Sequence, residues 1–163
     1  MSLRERIRRG LEGEGRKRDY VRDLFGRIAG RYDLTNDVMS LGLHRRWKDR
    51  LVELAELRPD HRVLDLASGT GDLALRAARR VREGTVVAAD LTPEMMREGR
   101  GRPGAGGVRW ALADALDLPF ADGSFDRVLI GYGLRNFGDL SRSLAEIHRC
   151  LRPGGRLLSL DFG

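Results

Sequence analysis

The stretch HRVLDLASGTGD, residues 61–72, decides the fold. His61–Ala67 is a short apolar run of strand type, and the small residues after it form a turn. Downstream, Gly71–Val81 (GDLALRAARRV) has helical periodicity and Thr85–Asp90 (TVVAAD) is a second strand, which together make a βαβ unit. Pro93 stands at the start of the next helix, PEMMREGR, where a missing N–H and a fixed φ are no handicap. The glycine-dense GRGRPGAGG from Gly99 reads as a loop, Val108–Asp114 as a third strand, and Phe125–Gly133 as a fourth after the turn-rich PFADGS. From Asp139 a helix sets Leu140, Leu144, Ile147 and Leu151 on one face; RPGG stops it, and GRLLSLDF supplies a fifth strand. Strands separated by helices predict an α/β fold with a doubly wound, mainly parallel sheet and crossovers on both faces.

Upstream, Tyr20 to Leu57 has apolar residues at helical spacing, interrupted near Gly30 and Gly42. The expected organisation is a basic flexible tail over residues 1–18 and a single domain over 19–163, with 19–57 a helical lid and 58–163 an α/β core. The tail holds seven basic and three acidic residues, +4 of the chain's formal +6, so a solvated arm is the simplest account of the charge. With 41% hydrophobic and 33% charged residues in 163, one packed domain is expected and a disordered chain is excluded. No apolar run reaches the roughly 18 residues of a membrane span, and the N-terminus lacks the apolar centre of a secretion signal, so a cytoplasmic location is expected. A lone cysteine, Cys150, closes no intramolecular disulfide and builds no cysteine metal site, and no metal is expected. All but two of the 30 basic residues are arginine; the lysines are Lys17 and Lys48, and asparagine occurs only at Asn36 and Asn136.

In a doubly wound sheet the ligand site lies at the carboxyl ends of the strands, beside the point where the strand order reverses. After the first strand, Asp65 to Asp72 offers small residues that let backbone amides and a helix N-terminus approach a ligand. After the second, Asp90 can accept from both hydroxyls of a ribose. This pair suits an adenosine-type cofactor, without separating a nicotinamide dinucleotide from S-adenosylmethionine. Asp114, ending the third strand, can accept from an adenine amino group. Asp72 reads as a first-turn acid favourable to the helix dipole. Asp33 and Asn36 suit helix caps, His44 and His148 structural positions, and Cys150 a small buried hydrophobe.

PF-DGSFD before a hydrophobic strand, with HRCLRPGGRLLSL after it, resembles the class I S-adenosylmethionine-dependent methyltransferases, whose sheet is Rossmann-like. RYDLTNDVMSLGLHRRWK (31–48), with LDLASGTGD and YGLRNFGDLSRSLAEIHRCLRPGGRLLSLDF, is similar to the ubiquinone/menaquinone-biosynthesis C-methyltransferase family, the UbiE/MenG type, over about residues 20–163. The resemblance implies C-methylation of a polyprenylated quinol with S-adenosylmethionine as donor and S-adenosylhomocysteine as product. It places the cofactor site on Thr70, Asp90, Asp114 and Ala115, with Asp65, Gly69 and Gly71 in the same loop by position. The family usually has Asn for Asp114, Ser for Gly131 and Met for Thr35. Its members continue past a fifth strand with two more strands, so the domain is expected to be truncated there, leaving the fifth strand as an edge through which copies of the chain could pair.

Methyl transfer to a ring carbon needs alignment, exclusion of water, and a group that favours the ionised neighbouring hydroxyl. Arg135 and Asn136, at the end of the fourth strand, are the expected catalytic residues for this, with Arg135 acting electrostatically because arginine does not give up its proton. Tyr32 and Asn36, from the helical lid, are expected to close over the cofactor or quinol. The lipophilic quinol is the expected partner, with contact at the inner face of a membrane and no nucleic acid, since no amide-methylation motif such as NPPY is present. Another small-molecule methyltransferase, or a catalytically incomplete cofactor-binding subunit, stay open as alternatives.

Overall fold

A computed structural model describes residues 43–161. In chain order its elements are α1 (Leu43–Leu54), β1 (Arg62–Leu66), α2 (Asp72–Ala78), β2 (Thr85–Asp90), α3 (Pro93–Arg100), β3 (Arg109–Leu112), β4 (Phe125–Gly131), α4 (Leu140–Cys150) and β5 (Leu151–Leu160). Short 3-10 turns occupy Ala105–Gly107 and Leu134–Asn136. The five strands form one parallel sheet in the order β3-β2-β1-β4-β5. The chain therefore runs outward from β1 through β2 to β3, returns across the sheet to β4, and continues outward on the other side. The reversal between β1 and β4 puts Asp65 in register with Ala88 on one side and Leu129 on the other.

Both faces of the sheet are covered, which explains why its central strands read as continuous rather than alternating apolar runs. Val63, Leu64, Val128, Leu129 and Ile130 are all fully buried. One core packs α1 and α2 (Leu51, Val52, Leu73, Ala74, Ala77) against Val63, Val86 and Leu129. The other packs Ile147 and Cys150 of α4, with Ala113, Ala115 and Leu118, against Leu64, Leu66, Val128 and Ile130. Cys150 is the small buried hydrophobe expected, its thiol pushed up by burial.

The structure shifts several sequence-based boundaries. The buried residues of α4 are Ser143, Ile147 and Cys150, whereas Leu140 and Leu144 are exposed. The helix is rotated so that the small Ser143, its hydroxyl donating to the Asp139 carbonyl at 2.8 Å, faces the wall of the main cavity. Gly99 belongs to α3 rather than to the following loop, and it is glycine because the indole of Trp110 lies where a side chain at 99 would go. RPGG does end α4, but β5 begins at once at Leu151, and the pairing shifts from Phe125↔Leu151 to Arg127↔Arg156 across it. β5 stands at the end of the strand order. The basic tail and the segment carrying Tyr32, Asp33 and Asn36 lie outside the described residues. Among the described residues no helix is long and apolar enough to cross a membrane.

Candidate functional site

The loop after β1 is built by steric necessity around a few residues. Gly69 and Gly71 have φ of 55° and 78°, and a Cβ on Gly71 would stand 2.5 Å from Cη2 of Trp110. The Gly71 N–H donates to the Ser68 carbonyl at 2.8 Å and closes the turn from which α2 starts. Ala67 and Tyr132, which are not glycine, also adopt positive φ, at 54° and 60°. They follow β1 and β4, the two strands at the reversal, and such strained residues gather where a site over-determines the backbone. A Cβ on Gly133 would come within 2.6 Å of the Ala67 Cβ, so the two strand ends approach as closely as their residues permit.

Asp90 ties the loop after β1 to the loop after β2. One carboxylate oxygen accepts from the Gly69 N–H at 2.7 Å and the other from the Thr92 N–H at 2.8 Å. Burial pushes its pKa up, and these two amide donors oppose that rise. Hydrogen bonds from the Thr92 hydroxyl and the Leu91 amide oppose it as well, so the carboxylate is held from several sides. A cavity of about 120 Å³ opens beside it, lined among others by Gly69, Asp90, Leu91, Met95, Asp114, Ala115, Asn136, Phe137 and Ser143. Asp114 accepts from the Leu116 N–H at 3.0 Å, which turns the chain so that Ala115 joins the same wall. Arg149 keeps this wall in place from outside: its guanidinium donates to the carbonyls of Leu118 and Phe120 at 2.9 and 2.7 Å and to Glu146, while Glu146 accepts from the Leu118 N–H at 2.8 Å.

A smaller cavity of about 30 Å³ adjoins the first, sharing Ala67, Gly69, Gly131 and Tyr132, and is lined also by Lys48, Asp65, Ser68, Thr70 and Asp72. Asp65 is 1% exposed and accepts from the Ala74 N–H at 2.8 Å. Burial pushes its pKa up to about 8; the Ala74 amide and the Lys48 charge lower it, and Asp72 and Asp90 add to the rise. Lys48 donates to Asp72 at 2.8 Å. Burial alone would raise Asp72, but Lys48, Arg76 and Arg102 together hold it below the usual carboxylate range. Arg102 reaches back to the Thr70 hydroxyl at 3.1 Å and to its carbonyl at 3.3 Å, pinning the loop from the α3 side.

Of the residues singled out from sequence, Gly69, Asp90, Asp114, Ala115 and Asn136 line the larger cavity and Asp65, Gly69 and Thr70 the smaller. Gly71 stands behind the wall, as a backbone requirement. Arg135 does not line either cavity: its side chain is 53% exposed and pairs with Asp161 at 3.2 Å. His44 is buried, and His148 lies exposed on α4. Sequence reasoning missed Lys48, Arg102, Trp110 and Tyr132. For Lys48 a signal existed, since it is one of two lysines in a chain that otherwise uses arginine.

The sequence profile described as the ubiE/COQ5 methyltransferase family matches residues 14–163. The chain belongs to the ubiE/COQ5 methyltransferase family. It is 48% identical over 151 residues to a ubiquinone/menaquinone biosynthesis C-methyltransferase UbiE of Teredinibacter turnerae, covering 90% of this chain and 61% of that protein. It is 49% identical over 141 residues to a demethylmenaquinone methyltransferase of Thermus thermophilus, covering 85% and 64%. The chain thus spans about three fifths of the length of these relatives. Among solved structures, the YcgJ protein of Bacillus subtilis has a TM-score of 0.66 at 32% identity over 70% of this chain and 49% of its own. A phosphoethanolamine N-methyltransferase of Haemonchus contortus shares the fold, with a TM-score of 0.75 at 21% identity over 94% of this chain and 34% of its own. Both neighbours share the fold of this chain, and the family match makes it a methyltransferase sheet. For this ubiE/COQ5 family member the two cavities lie where such a fold holds its ligand, outside the carboxyl ends of the strands at the reversal.

Proposed function

We propose that the chain binds S-adenosylmethionine in the paired cavities and serves C-methylation of a polyprenylated quinol, a demethylmenaquinol or the corresponding benzoquinol. The observation that carries this reading is Asp90, whose two oxygens are held by the Gly69 and Thr92 amides on the wall of the larger cavity, in a chain of this family. The residues fit the cofactor. Asp90 is placed to accept from ribose hydroxyls, and Asp114 with Ala115 to meet the adenine. Gly69 faces open space, with nothing within 4 Å of where a Cβ would stand, so a ligand can approach the loop there. Ser68 Oγ is buried with no hydrogen-bond partner among the described residues, as expected of a hydroxyl waiting for a ligand. When bound, S-adenosylmethionine supplies an electrophilic methyl group on a sulfonium.

The chain's own part in the reaction is alignment and electrostatics. Phe137, Met95 and Leu91 give the larger cavity apolar walls that exclude water. Asn136 stands on that wall as a donor to a quinol oxygen. Arg135, one residue away, is paired with Asp161 outside the cavity wall and adds only a screened positive potential, and Tyr32, outside the described residues, is assigned to the substrate side by the family resemblance. A lipophilic substrate brings the protein to a membrane surface in this reading.

Calorimetric titration tests it. S-adenosylhomocysteine should bind and NAD should not, and Asp90→Ala should weaken S-adenosylhomocysteine about tenfold or more through the lost charge-assisted contacts. Tighter binding of NAD, or an Asp90→Ala variant with unchanged affinity, overturns the reading. Transfer of a labelled methyl group from S-adenosylmethionine to a demethylmenaquinol tests the substrate class.

A further inference from the structure

We propose that Arg102 is a positioning residue of the cofactor site, one that holds the Thr70–Asp72 turn in the shape that receives the cofactor's amino-acid end. The proposal rests on the S-adenosylmethionine reading, in which Asp90 meets the ribose in the larger cavity and the amino-acid end extends into the smaller one. The loop that walls both cavities needs holding. Ala67, Gly69 and Gly71 stand at φ of 54°, 55° and 78°, and backbone of that kind at a site persists where its surroundings over-determine it. Asp90 fixes the first half of the loop through the Gly69 amide. Thr70 and Asp72, in the second half, line the smaller cavity.

The end of α3 is shaped around that second half. A Cβ on Gly99 would stand 2.7 Å from the Thr70 carbonyl oxygen, so the helix comes this close only because residue 99 has no side chain. Three residues on, the Arg102 amide donates to the Gly99 carbonyl at 3.1 Å and closes a turn. From there Nη1 of Arg102 donates to the Thr70 hydroxyl oxygen at 3.1 Å and to the Thr70 carbonyl at 3.3 Å, while Nη2 stands 3.5 Å from Oδ1 of Asp72. One guanidinium thus bridges the residues on either side of Gly71, and Trp110 backs Gly71 itself. A planar fork can span two such partners at once, whereas a lysine ammonium is a single point. Two of the three contacts are with neutral oxygens of Thr70, so what Arg102 fixes is the shape of the turn. Thr70 is buried and the Arg102 side chain is part-exposed, so removing the guanidinium loosens the turn without emptying the core.

The test compares two probes by calorimetry: S-adenosylhomocysteine, which reaches both cavities, and 5′-methylthioadenosine, which keeps the adenosine and the sulfur and lacks the amino-acid end. The wild type should prefer S-adenosylhomocysteine. In Arg102→Ala the affinity for S-adenosylhomocysteine should fall about tenfold or more, the ordinary scale of a charge-assisted hydrogen bond, while that for 5′-methylthioadenosine changes less than about twofold. Arg102→Lys, with one nitrogen in place of the fork, should lie between wild type and Arg102→Ala. Equal losses for both probes would show that the arginine props the whole loop, and an undiminished preference in Arg102→Ala or Arg102→Lys would show that the fork has no part in binding. Either result overturns the proposal. Should Arg102→Ala not fold, Arg102→Lys decides by the same two results. A wild type that binds both probes alike overturns it equally, because the amino-acid end is then not held. A wild type that binds neither probe refutes the cofactor reading itself, which is a separate outcome.

Discussion

Replacing Gly71 by alanine tests the steric logic of the cofactor loop. Two costs are separable in the structure. The backbone at 71 has φ of 78°, a region in which an L side chain costs about 1–2 kcal/mol. The new methyl would also stand 2.5 Å from Cη2 and 3.1 Å from Cζ3 of Trp110, and that indole is held on its other side by Gly99, so overpacking adds about 1–3 kcal/mol. Together Gly71→Ala should destabilise by about 2–5 kcal/mol. Two controls divide the sum. Gly104→Ala has φ of 86° and meets only Leu75 Cδ2 at 3.9 Å, so it should show the backbone cost alone; Gly106→Ala, with no positive φ and nothing within 4 Å, should be near neutral. Urea unfolding followed by circular dichroism at pH 7 measures all three, and Trp110→Leu placed in the Gly71→Ala background should recover the packing part. If Gly71→Ala costs no more than Gly104→Ala, the Trp110 ring yields to the methyl and the argument for a rigid loop fails.

The remaining predictions concern protons and the substrate side. Asp65 has its folded pKa raised to about 8, so the folded chain holds a proton that the unfolded chain has released; stability should fall as pH rises from about 4 to 8, by at most about 1.4 kcal/mol per pH unit. Urea midpoints across that range should flatten in Asp65→Asn, and an unchanged slope would remove Asp65 as the cause. Glu146 is shifted the other way: hydrogen bonds from Arg149, then from the Leu118 amide, lower it from the usual 4.5 to about 2. Its stabilisation should be complete above pH 4.5 and lost as pH falls through 2, and Glu146→Gln should remove that acid sensitivity in the same measurement; an equally acid-sensitive variant would refute it. Arg149→Ala should lower the thermal unfolding midpoint by leaving the Leu118 and Phe120 carbonyls without their donor; an unchanged midpoint would refute this. In a form shown to turn over, Asn136→Ala should lower turnover on a demethylated quinol by about 100-fold with cofactor affinity nearly intact, and Arg135→Ala, whose guanidinium pairs with Asp161 outside the cavity, by much less; lost cofactor binding with normal turnover at saturation would make Asn136 a cofactor ligand instead.

The sequence by itself determined the order and type of the elements, because hydrophobic period and chain-breaking residues are local. Thr85–Asp90 and the start of α3 at Pro93 stand where the pattern puts them. The strand-end loops were legible for the same reason: Asp90 and Asp114 each follow a strand, and the fold directs strand ends to the ligand. Tertiary structure alone decided what depends on approach between distant segments. The rotation of α4, which buries Ser143 and exposes Leu140 and Leu144, is set by the sheet and cavity it packs against, since its leucines form an equally good stripe on paper. The left-handed backbone of Ala67 and Tyr132 has no signature in residue type and arises where β1 and β4 end side by side. Arg135 was read correctly as lying at the end of β4, but only the position of Asp161, 26 residues on, shows that its guanidinium is engaged outside the cavity wall. Lys48 is the sharpest case: its rarity was visible, yet its burial against Asp72, beside Arg76 and Arg102, exists only because α1, α2 and the end of α3 converge from separate parts of the chain. Charge balance in a buried site is a sum over space, and spacing along the sequence does not encode it.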